Sequence, residues 1–255
     1  MNLKAETLIE ITKKLRETCE TYKEEIIKNN PNVDFVYNPL KYAWKPHKYY
    51  LEKYGSLGAK KIIMGMNPGH GMGNTGIPFG CPEKVRTYLK ITDFEVEKPP
   101  KMHPKRKIVG LEYGKPEISG KRVWGLIEEI YGVPTIAFQN LFVLNHFPLW
   151  MFNASGQNIT PDKLKSSSTS EIFDTCNKYL VDIVQLLGCQ SVVGVGKYAQ
   201  KMAHLALDNA NLESVTVEEI PHPSPANPLA NKDKGNVWKK ISREIIKETS
   251  QKTTD

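Results

Sequence analysis

Four short apolar runs, separated by stretches with helical periodicity, constrain the fold of this chain more than any other feature of its sequence. Each run has the length and composition of a buried strand. A helix between consecutive strands returns the chain to the same edge of a sheet, which is the connection that parallel strands need. We therefore predict an α/β fold with a mainly parallel sheet, whose strands lie at Lys61–Met66, Thr135–Val143, Ser191–Val195 and Ser214–Ile220.

The predicted helices follow from apolar residues that recur at steps of three and four. The first such pattern predicts an amphipathic N-terminal helix at about 3–29, which the sequence Asn29-Asn30-Pro31 ends. Three further patterns predict helices within the sheet-forming part, and a last one predicts a closing helix. These are Val123–Tyr131, Ile172–Leu187, Tyr198–Leu207 and the helix that carries Val237, Ile241 and Ile245.

A length of 255 residues is enough for one large domain and too short to require two. We predict a single domain over 1–255, with a core at about 33–248, a Ser-rich turn at Ser166–Ser170 and a polar C-terminal tail. No internal repeat and no interface signal stand out, so a monomer is the expected state.

The net charge of +7 and the pI near 9.0 favour a polyanionic partner such as nucleic acid, although many metabolic enzymes are equally basic. The four cysteines, Cys19, Cys81, Cys176 and Cys189, form no CxxC pair, which argues against a zinc site or an iron–sulfur cluster. No signal peptide or membrane span is visible. We expect an intracellular protein, nuclear in a eukaryote and cytoplasmic in a bacterium.

Unusual loops follow the first, second and fourth predicted strands. Their sequences are NPGHGMGNTGIPFG, NHFPL and HPSPANPLANKDKG. Ligands of open parallel sheets bind outside the carboxyl ends of the strands, so these loops are expected to meet at one site. The first loop is neither a phosphate-binding P-loop nor a dinucleotide fingerprint, because the lysine and the spaced glycines of those motifs are missing.

These loops resemble those of the uracil-DNA glycosylase superfamily, and most closely its single-strand-selective monofunctional branch. Six further segments are similar to that branch in the same order: YNPLKYAWKPH, HPKRKIVGLE, ISGKRVWG, FVLNHFPL, SGQNITP and VVGVGKYA. The resemblance covers roughly Tyr37 to Ile246. It implies a three-layer fold with a central four-stranded, mainly parallel sheet flanked by helices. It also implies a monofunctional glycosylase of base-excision repair that acts on uracil in single- and double-stranded DNA without a cofactor or a metal.

The resemblance assigns roles to individual residues. His222 matches the histidine that donates a hydrogen bond to O2 of the leaving base, and Asn67 matches the residue that positions the attacking water. Asn145 matches the side chain that reads the edge of the base, and Phe79 matches the ring that stacks on it. The backbone of Met66 and Gly69 is expected to line the same pocket.

Gly69 carries the specificity argument. Relatives that exclude thymine place a bulky tyrosine at the matching position, whereas glycine leaves room for a water beside C5 of the base. 5-Hydroxymethyluracil replaces the hydrogen bonds of that water and should be accepted, while the methyl group of thymine does not.

The chain departs from the family pattern at two places. The first loop is one residue shorter, with His70-Gly71 where the branch carries a proline and an aromatic residue; this favours a changed substrate range, such as deaminated purines. We expect His70 to be a solvent-facing loop residue, with a second catalytic histidine as the alternative. Ala226 replaces an arginine that wedges into the base stack, so Leu229, Asn231 or Lys232 must fill the gap, and single strands should be preferred.

Residues in and near the loops are expected to contact the DNA backbone. The predicted contacts are Lys197, Pro223, Ser224, Ala226, Asn231 and Lys232, with Lys121, Arg122, Lys234 and the run His103–Arg106 as further basic candidates. We see no paired carboxylates near the loops and no lysine placed as a Schiff-base nucleophile, so the expected product is an intact abasic site.

Two alternatives remain open on the sequence. One is a non-catalytic module that binds damaged or single-stranded DNA on a glycosylase fold. The other is an α/β enzyme of free nucleotides, which the missing phosphate-loop lysine disfavours.

Overall fold

A computed structural model describes residues 2–165 and 169–247. The predicted polar tail and Ser166 to Ser168 of the Ser-rich turn lie outside the described residues. The helices are α1 Leu3–Thr21, α2 Lys23–Asn29, α3 Pro39–Tyr42, α4 Trp44–Tyr54, α5 His70–Thr75, α6 Pro82–Thr87, α7 Ile118–Tyr131, α8 Pro134–Asn140, α9 Ser170–Leu187, α10 Lys197–Asn209, α11 Pro228–Asn231 and α12 Asn236–Lys247. The strands are β1 Phe35–Tyr37, β2 Lys61–Gly65, β3 Leu141–Asn145, β4 Trp150–Phe152, β5 Asn158–Ile159, β6 Ser191–Val195 and β7 Thr216–Ile220.

The central sheet has four parallel strands in the order β3-β2-β6-β7. Strands β2, β3 and β6 are buried along their whole length, which is why they read as continuous apolar runs. Helices α8, α10 and α12 pack against its strands. The α/β fold with a four-stranded parallel sheet flanked by helices is therefore confirmed.

The register of the sheet places the functional loops side by side. Gly65 at the end of β2 pairs with Asn145 at the end of β3, and Val195 at the end of β6 pairs with Ile220 at the end of β7. The chain runs from β2 to β3 on one side and then to β6 and β7 on the other. The carboxyl ends of β2 and β6 thus flank a topological switch point, where open α/β sheets bind ligands.

A second, small antiparallel sheet joins β1, β4 and β5 and was not predicted. Tyr37 of β1 pairs with Trp150 of β4, and both side chains are buried in a separate apolar cluster. This sheet packs beside the first functional loop, because Trp150 occupies the space over Gly73 of α5, where a side chain would overlap its ring.

Some predicted boundaries were wrong. The predicted strand Thr135–Val143 is helical up to Asn140 and becomes β3 only at Leu141, because Pro134 begins a short helix. The predicted strand Ser214–Ile220 begins at Thr216. The predicted N-terminal helix consists of two helices that meet at Tyr22 and ends, as expected, at Asn29.

The helix predicted at Val123–Tyr131 begins five residues earlier, at Ile118, where the side chain of Glu117 caps it. None of the helices within the described ranges is both long and apolar enough to cross a bilayer.

Candidate active site

An open cleft of about 390 Å³ lies at the carboxyl ends of the central strands. The loops after β2 and β7 and the last residue of β3 all contribute to it. The residues that line it are Met66, Asn67, Pro68, Gly69, Gly71, Met72, Phe79, Glu117, Ser119, Asn145, Asn158, Thr160, His222 and Ser224. All six residues predicted to be catalytic or to bind the base are therefore together in one cleft.

His222 enters the cleft two residues after the end of β7. The backbone N–H of Ser224 donates a hydrogen bond to Nδ1 of His222, at 3.1 Å. Burial lowers the pKa of His222 below its ordinary value, which favours the neutral imidazole. A neutral ring whose Nδ1 accepts a hydrogen bond carries its proton on Nε2, so His222 offers one N–H donor.

We call the segment between β7 and α12, residues 221–235, the His222 loop. Side chains of two helices hold this loop in place. Nε1 of Trp238 in α12 donates to the carbonyl oxygen of Pro221, at 2.6 Å. Arg122 in α7 donates from Nη1 to the carbonyl oxygen of Pro223, at 2.7 Å, and from Nη2 to Oδ1 of Asn231, at 3.0 Å. Within the loop, Nδ2 of Asn227 donates to the carbonyl oxygen of His222, at 2.8 Å. The imidazole therefore sits on a loop fixed from both sides.

Asn145 and Phe79 form the floor of the cleft over Gly65. A Cβ at position 65 would overlap Oδ1 of Asn145 and would lie 2.7 Å from Cζ of Phe79. Nδ2 of Asn145 donates to Sδ of Met72, at 3.1 Å, which holds the amide in one orientation. An amide beside an aromatic ring is suited to bind the polar edge and the face of a planar heterocycle.

Asn67 and Gly69 lie where the loop after β2 opens into the cleft. Asn67 is half-buried, and its Nδ2 makes only a 3.3 Å contact with the carbonyl oxygen of Pro68, which leaves its amide oxygen available to a water. A Cβ at Gly69 would meet no other atom within 4 Å. The cleft therefore has open space beside Gly69. The loop after β3 joins this region, since the N–H of Phe147 donates to the carbonyl oxygen of Met66, at 2.9 Å.

His70 is not the solvent-facing residue that we expected. Its ring is half-buried, stacks on Tyr113 at 5.4 Å and contacts the edge of Trp150. Nη1 of Arg106 lies 2.8 Å from Nε2 of His70. Burial, followed by the charges of Arg106 and Lys115, lowers the pKa of His70 to about 4. His70 is therefore a neutral acceptor packed between two aromatic rings, and it is absent from the lining of the cleft.

Glu117 is a residue of the cleft that the sequence did not reveal. It follows no strand; it precedes α7 as the N-cap, where an acidic side chain has an ordinary structural role. Its carboxylate accepts a hydrogen bond from the N–H of Gly120 and also lines the cleft. A single carboxyl group therefore lines the cleft beside the amides and the imidazole.

The predicted DNA-contacting residues lie around the His222 loop. A Cβ at Gly196 would lie 3.4 Å from that of His222, so Lys197 begins α10 next to this loop. Ser224 is half-buried and Pro223 is buried, whereas Ala226, Asn231 and Lys232 are exposed.

Several further basic candidates have other partners. Lys121 pairs with Glu83 at 2.8 Å, and Arg122 holds the His222 loop. In the run His103–Arg106, His103 is buried and Arg106 donates to Gly156 and His70. Arg122, His103 and Arg106 thus each have a partner within the protein, and their place in a phosphate-contacting rim stays a prediction.

Metal-binding geometry is absent from the described part of the chain, where no three His, Cys, Asp or Glu side chains cluster. All four cysteines are buried and unpaired. Burial raises the pKa of the Cys189 thiol to about 12, which leaves it protonated and unreactive. The polar side chains that line the cleft are amides, hydroxyl groups, one imidazole and one carboxyl group.

Comparisons with known proteins agree with this geometry. The family model of the uracil DNA glycosylase superfamily matches residues 52–244. The chain is 41% identical over 217 residues to a single-strand selective monofunctional uracil DNA glycosylase from Bos taurus, covering 85% of this chain and 78% of that protein. It is 40% identical to the protein of the same name from Mus musculus, covering 85% and 76%. The crystal structure of wild-type SMUG2 from Pedobacter heparinus shares the fold, with a TM-score of 0.54, 18% identity and coverage of 84% of this chain and 88% of that chain.

Proposed function

Because this chain belongs to the uracil DNA glycosylase superfamily, we propose that it is a monofunctional DNA glycosylase that hydrolyses the N-glycosidic bond of uracil in DNA. One observation carries the proposal: Asn67, Asn145, Phe79 and His222, from three loops distant in sequence, line one cleft. The relatives' names support uracil as the base.

The reaction breaks the bond between C1′ of the deoxyribose and N1 of uracil. Electrons of that bond leave with the base, so the sugar gains oxocarbenium character and O2 of uracil gains negative charge. The Nε2–H of His222 donates to O2 and stabilises charge that is largest in the transition state. A neutral imidazole is sufficient, because the hydrogen bond stabilises the anion without transferring a proton to it.

Asn67 positions the water that adds to C1′. Its amide has no basic site near neutral pH, so it orients the water and does not deprotonate it. As the C1′–O bond forms, the water gives up a proton to solvent and the uracil anion takes up a proton, so free uracil and an abasic site are the products. Asn145 donates to O4 and accepts from N3–H, a pattern that cytosine reverses, while Phe79 stacks on the ring.

No lysine is among the described residues that line the cleft. An amine nucleophile at C1′ would be needed to cut the strand by β-elimination, so the abasic site should remain intact. We propose DNA repair as the cellular role, in single-stranded and double-stranded DNA. We also propose that the chain acts as one domain and as a monomer.

The substrate range extends to 5-hydroxymethyluracil in this proposal, because the space beside Gly69 is open. A hydroxyl group there replaces the hydrogen bonds of the displaced water, whereas a methyl group does not. Deaminated purines are further candidates, since the cleft of about 390 Å³ is large for one pyrimidine.

The decisive experiment incubates the protein with an end-labelled single strand and a duplex, each carrying one uracil, and treats half of each sample with alkali. Strand scission after alkali, but not before it, is expected. Asn67→Ala and His222→Ala should each reduce the single-turnover rate by roughly 10²–10³, as losses of transition-state hydrogen bonds do. His204→Ala is the matched control, because His204 is exposed on α10.

Binding without base release would contradict this proposal and would favour a non-catalytic DNA-binding module. Release of the base from free dUMP, with none from DNA, would favour an enzyme of nucleotide metabolism.

A further inference from the structure

The carboxyl group of Glu117 lies in the wall of the cleft rather than on the surface. A Cβ on Gly71 would lie 3.1 Å from Cγ and 3.2 Å from Cδ of Glu117. A Cβ on Gly120 would overlap Oε2 of Glu117 and the carbonyl oxygen of Phe79. Two glycines thus provide the space that lets this side chain line the cleft beside the base-stacking residue.

Glu117 has hydrogen-bond donors but no cation beside it. The N–H of Gly120 donates to Oε2, and the N–H of Ser119 also stabilises the carboxylate. Within the described ranges, no lysine, arginine or histidine nitrogen lies within 4.0 Å of its carboxylate oxygens, the distance that defines an ion pair. Burial raises the pKa of Glu117 to about 7, although these backbone hydrogen bonds lower it. Protonated and ionised forms therefore coexist in the free protein at neutral pH.

Two described cations, Lys115 and Arg106, act on the residues around Glu117, His70 and Tyr113, but neither forms an ion pair with Glu117. Burial leaves His70 and His222 neutral, and Lys121 is paired with Glu83. Burial raises the pKa of Tyr113, the charge of Arg106 lowers it and that of Glu117 raises it, so that the hydroxyl stays protonated at neutral pH. The titratable groups on the neighbouring segments are Tyr113, Lys115, His70, Glu83, Lys121 and His222.

DNA in the cleft makes an ionised Glu117 still less favourable. The strand excludes water and brings phosphate charges, and the departing base becomes an anion in the same space. A neutral carboxyl group avoids this repulsion. It also gains a donor, as with other acids that apolar sites keep protonated at neutral pH. Because Oε2 accepts from Gly120, the proton belongs on Oε1.

We propose that Glu117 is a further residue of the active cleft, which binds the substrate as a neutral acid and donates a hydrogen bond to a negatively charged oxygen of the DNA. This inference rests on the proposed function. The oxygen belongs to a phosphate or to the leaving base; both present the same chemistry to the carboxyl group.

The first test is the pH dependence of uracil release from a single strand under single-turnover conditions. With the DNA well below saturation, where the rate reports the free protein, the wild-type rate should fall above neutral pH by about tenfold per unit as Glu117 ionises. Glu117→Gln keeps the shape, a cap for Gly120 and a neutral donor, so its rate should stay flat over that range. Glu117→Ala should be slower at every pH. Glu213→Gln, at an exposed carboxylate, is the matched control and should follow the wild type.

If Glu117 acts only as a helix cap, the rate of Glu117→Gln should still fall above neutral pH as that of the wild type does. That result would overturn the proposal. Thermal unfolding of each variant shows whether the cap alone has been lost.

The second test does not depend on turnover. Carboxyl ¹³C NMR follows the titration of Glu117 in the free protein and in complex with a strand carrying 2′-fluoro-2′-deoxyuridine, which resists hydrolysis. The pKa should rise by at least about one unit on binding. A rise that persists with a baseless tetrahydrofuran strand assigns the oxygen to a phosphate, and a rise seen only with uracil assigns it to the base. An unchanged or lowered pKa overturns the proposal. A raised pKa without any base release would contradict only the proposed function.

Discussion

The backbone N–H of Ser224 points at Nδ1 of His222 from 3.1 Å and makes the neutral, Nε2-protonated imidazole the stable form. Protonation of Nδ1 would place two N–H groups against each other and break this hydrogen bond. The proposed hydrogen bond from His222 to O2 of the base thus depends on a backbone contact two residues away.

Because of this contact, the rate of uracil release should fall at acid pH. Burial lowers the pKa of His222, so the active neutral form persists to below the ordinary range of histidine and is lost as pH falls through that lowered value. A pH profile of the single-turnover rate measures it. His222→Asn provides a neutral donor that does not titrate, so it should be slower but without the acid limb. A rate that rises on acidification would contradict this assignment.

Arg122 should be required for activity although it lines no part of the cleft. Arg122→Ala removes both hydrogen bonds to the His222 loop, each of a kind that contributes about 1.5–3 kcal/mol. We expect a loss of roughly tenfold or more in the single-turnover rate, because the imidazole is then poorly placed. Arg243→Ala is the control, since Arg243 makes a surface ion pair with Glu129 and should change little. Equal rates for the two variants would show that the hydrogen bonds within the His222 loop are sufficient to position the imidazole.

Gly69→Tyr should narrow the range of bases. The free space beside Gly69 admits the new ring, and its backbone φ of −115° suits any residue. The ring should then exclude the 5-hydroxymethyl group while leaving uracil accessible. Parallel excision assays on strands with each base measure the ratio of kcat/KM, with uracil as the internal control. Thymine release by the wild type would contradict the specificity argument.

Leu229→Ala should reduce activity on duplex DNA more than on single strands. Of the three residues that were candidates to fill the gap left by the flipped base, Asn231 is tied through both side-chain atoms to Arg122 and Pro225. Leu229 is apolar and 37% exposed on the same loop. A wedge stabilises the flipped state only where a stack must be opened, at a cost of a few kcal/mol. Leu205→Ala, on the exposed face of α10, is the control. Equal losses on both substrates would rule out a wedge.

Acid should destabilise the fold itself. His47 and His146 are fully buried, and burial lowers the pKa of each to about 4. The unfolded chain binds protons on both residues more readily, so their contribution is complete above about pH 6.5 and is lost as pH falls towards 4. The free energy of unfolding, from urea titrations, should fall by at most about 3 kcal/mol per residue. His204→Gln, at an exposed histidine, should not change this dependence; a flat profile in the wild type would contradict it.

Much of the site could be predicted because its residues stand at the ends of strands. Asn67, Asn145 and His222 each follow an apolar run, and parallel strands bring such positions together at one edge. Alternation of strands and helices was sufficient for that conclusion.

Other parts of the site and of the fold leave no recognisable pattern in the sequence. Glu117 and Arg122 act from helix α7, where an N-cap acid and a half-exposed arginine are ordinary residues in sequence. Thr135 and Ile136 are β-branched and favour a strand, but they lie in helix α8, which begins at Pro134 and ends at Asn140. The strands β1 and β4 are three residues long and lie far apart in the chain, so periodicity cannot reveal their pairing.

The hydrogen bond from Trp238 to Pro221 gives the reaction centre an order of assembly. A chain emerging from the ribosome presents Asn67, Phe79 and Asn145 long before Trp238 and its helix. The half that recognises the base is therefore synthesised first, and the imidazole loop is secured only when the twelfth helix docks. A chain that lacks this helix lacks the contact that anchors the proposed hydrogen-bond donor to the base.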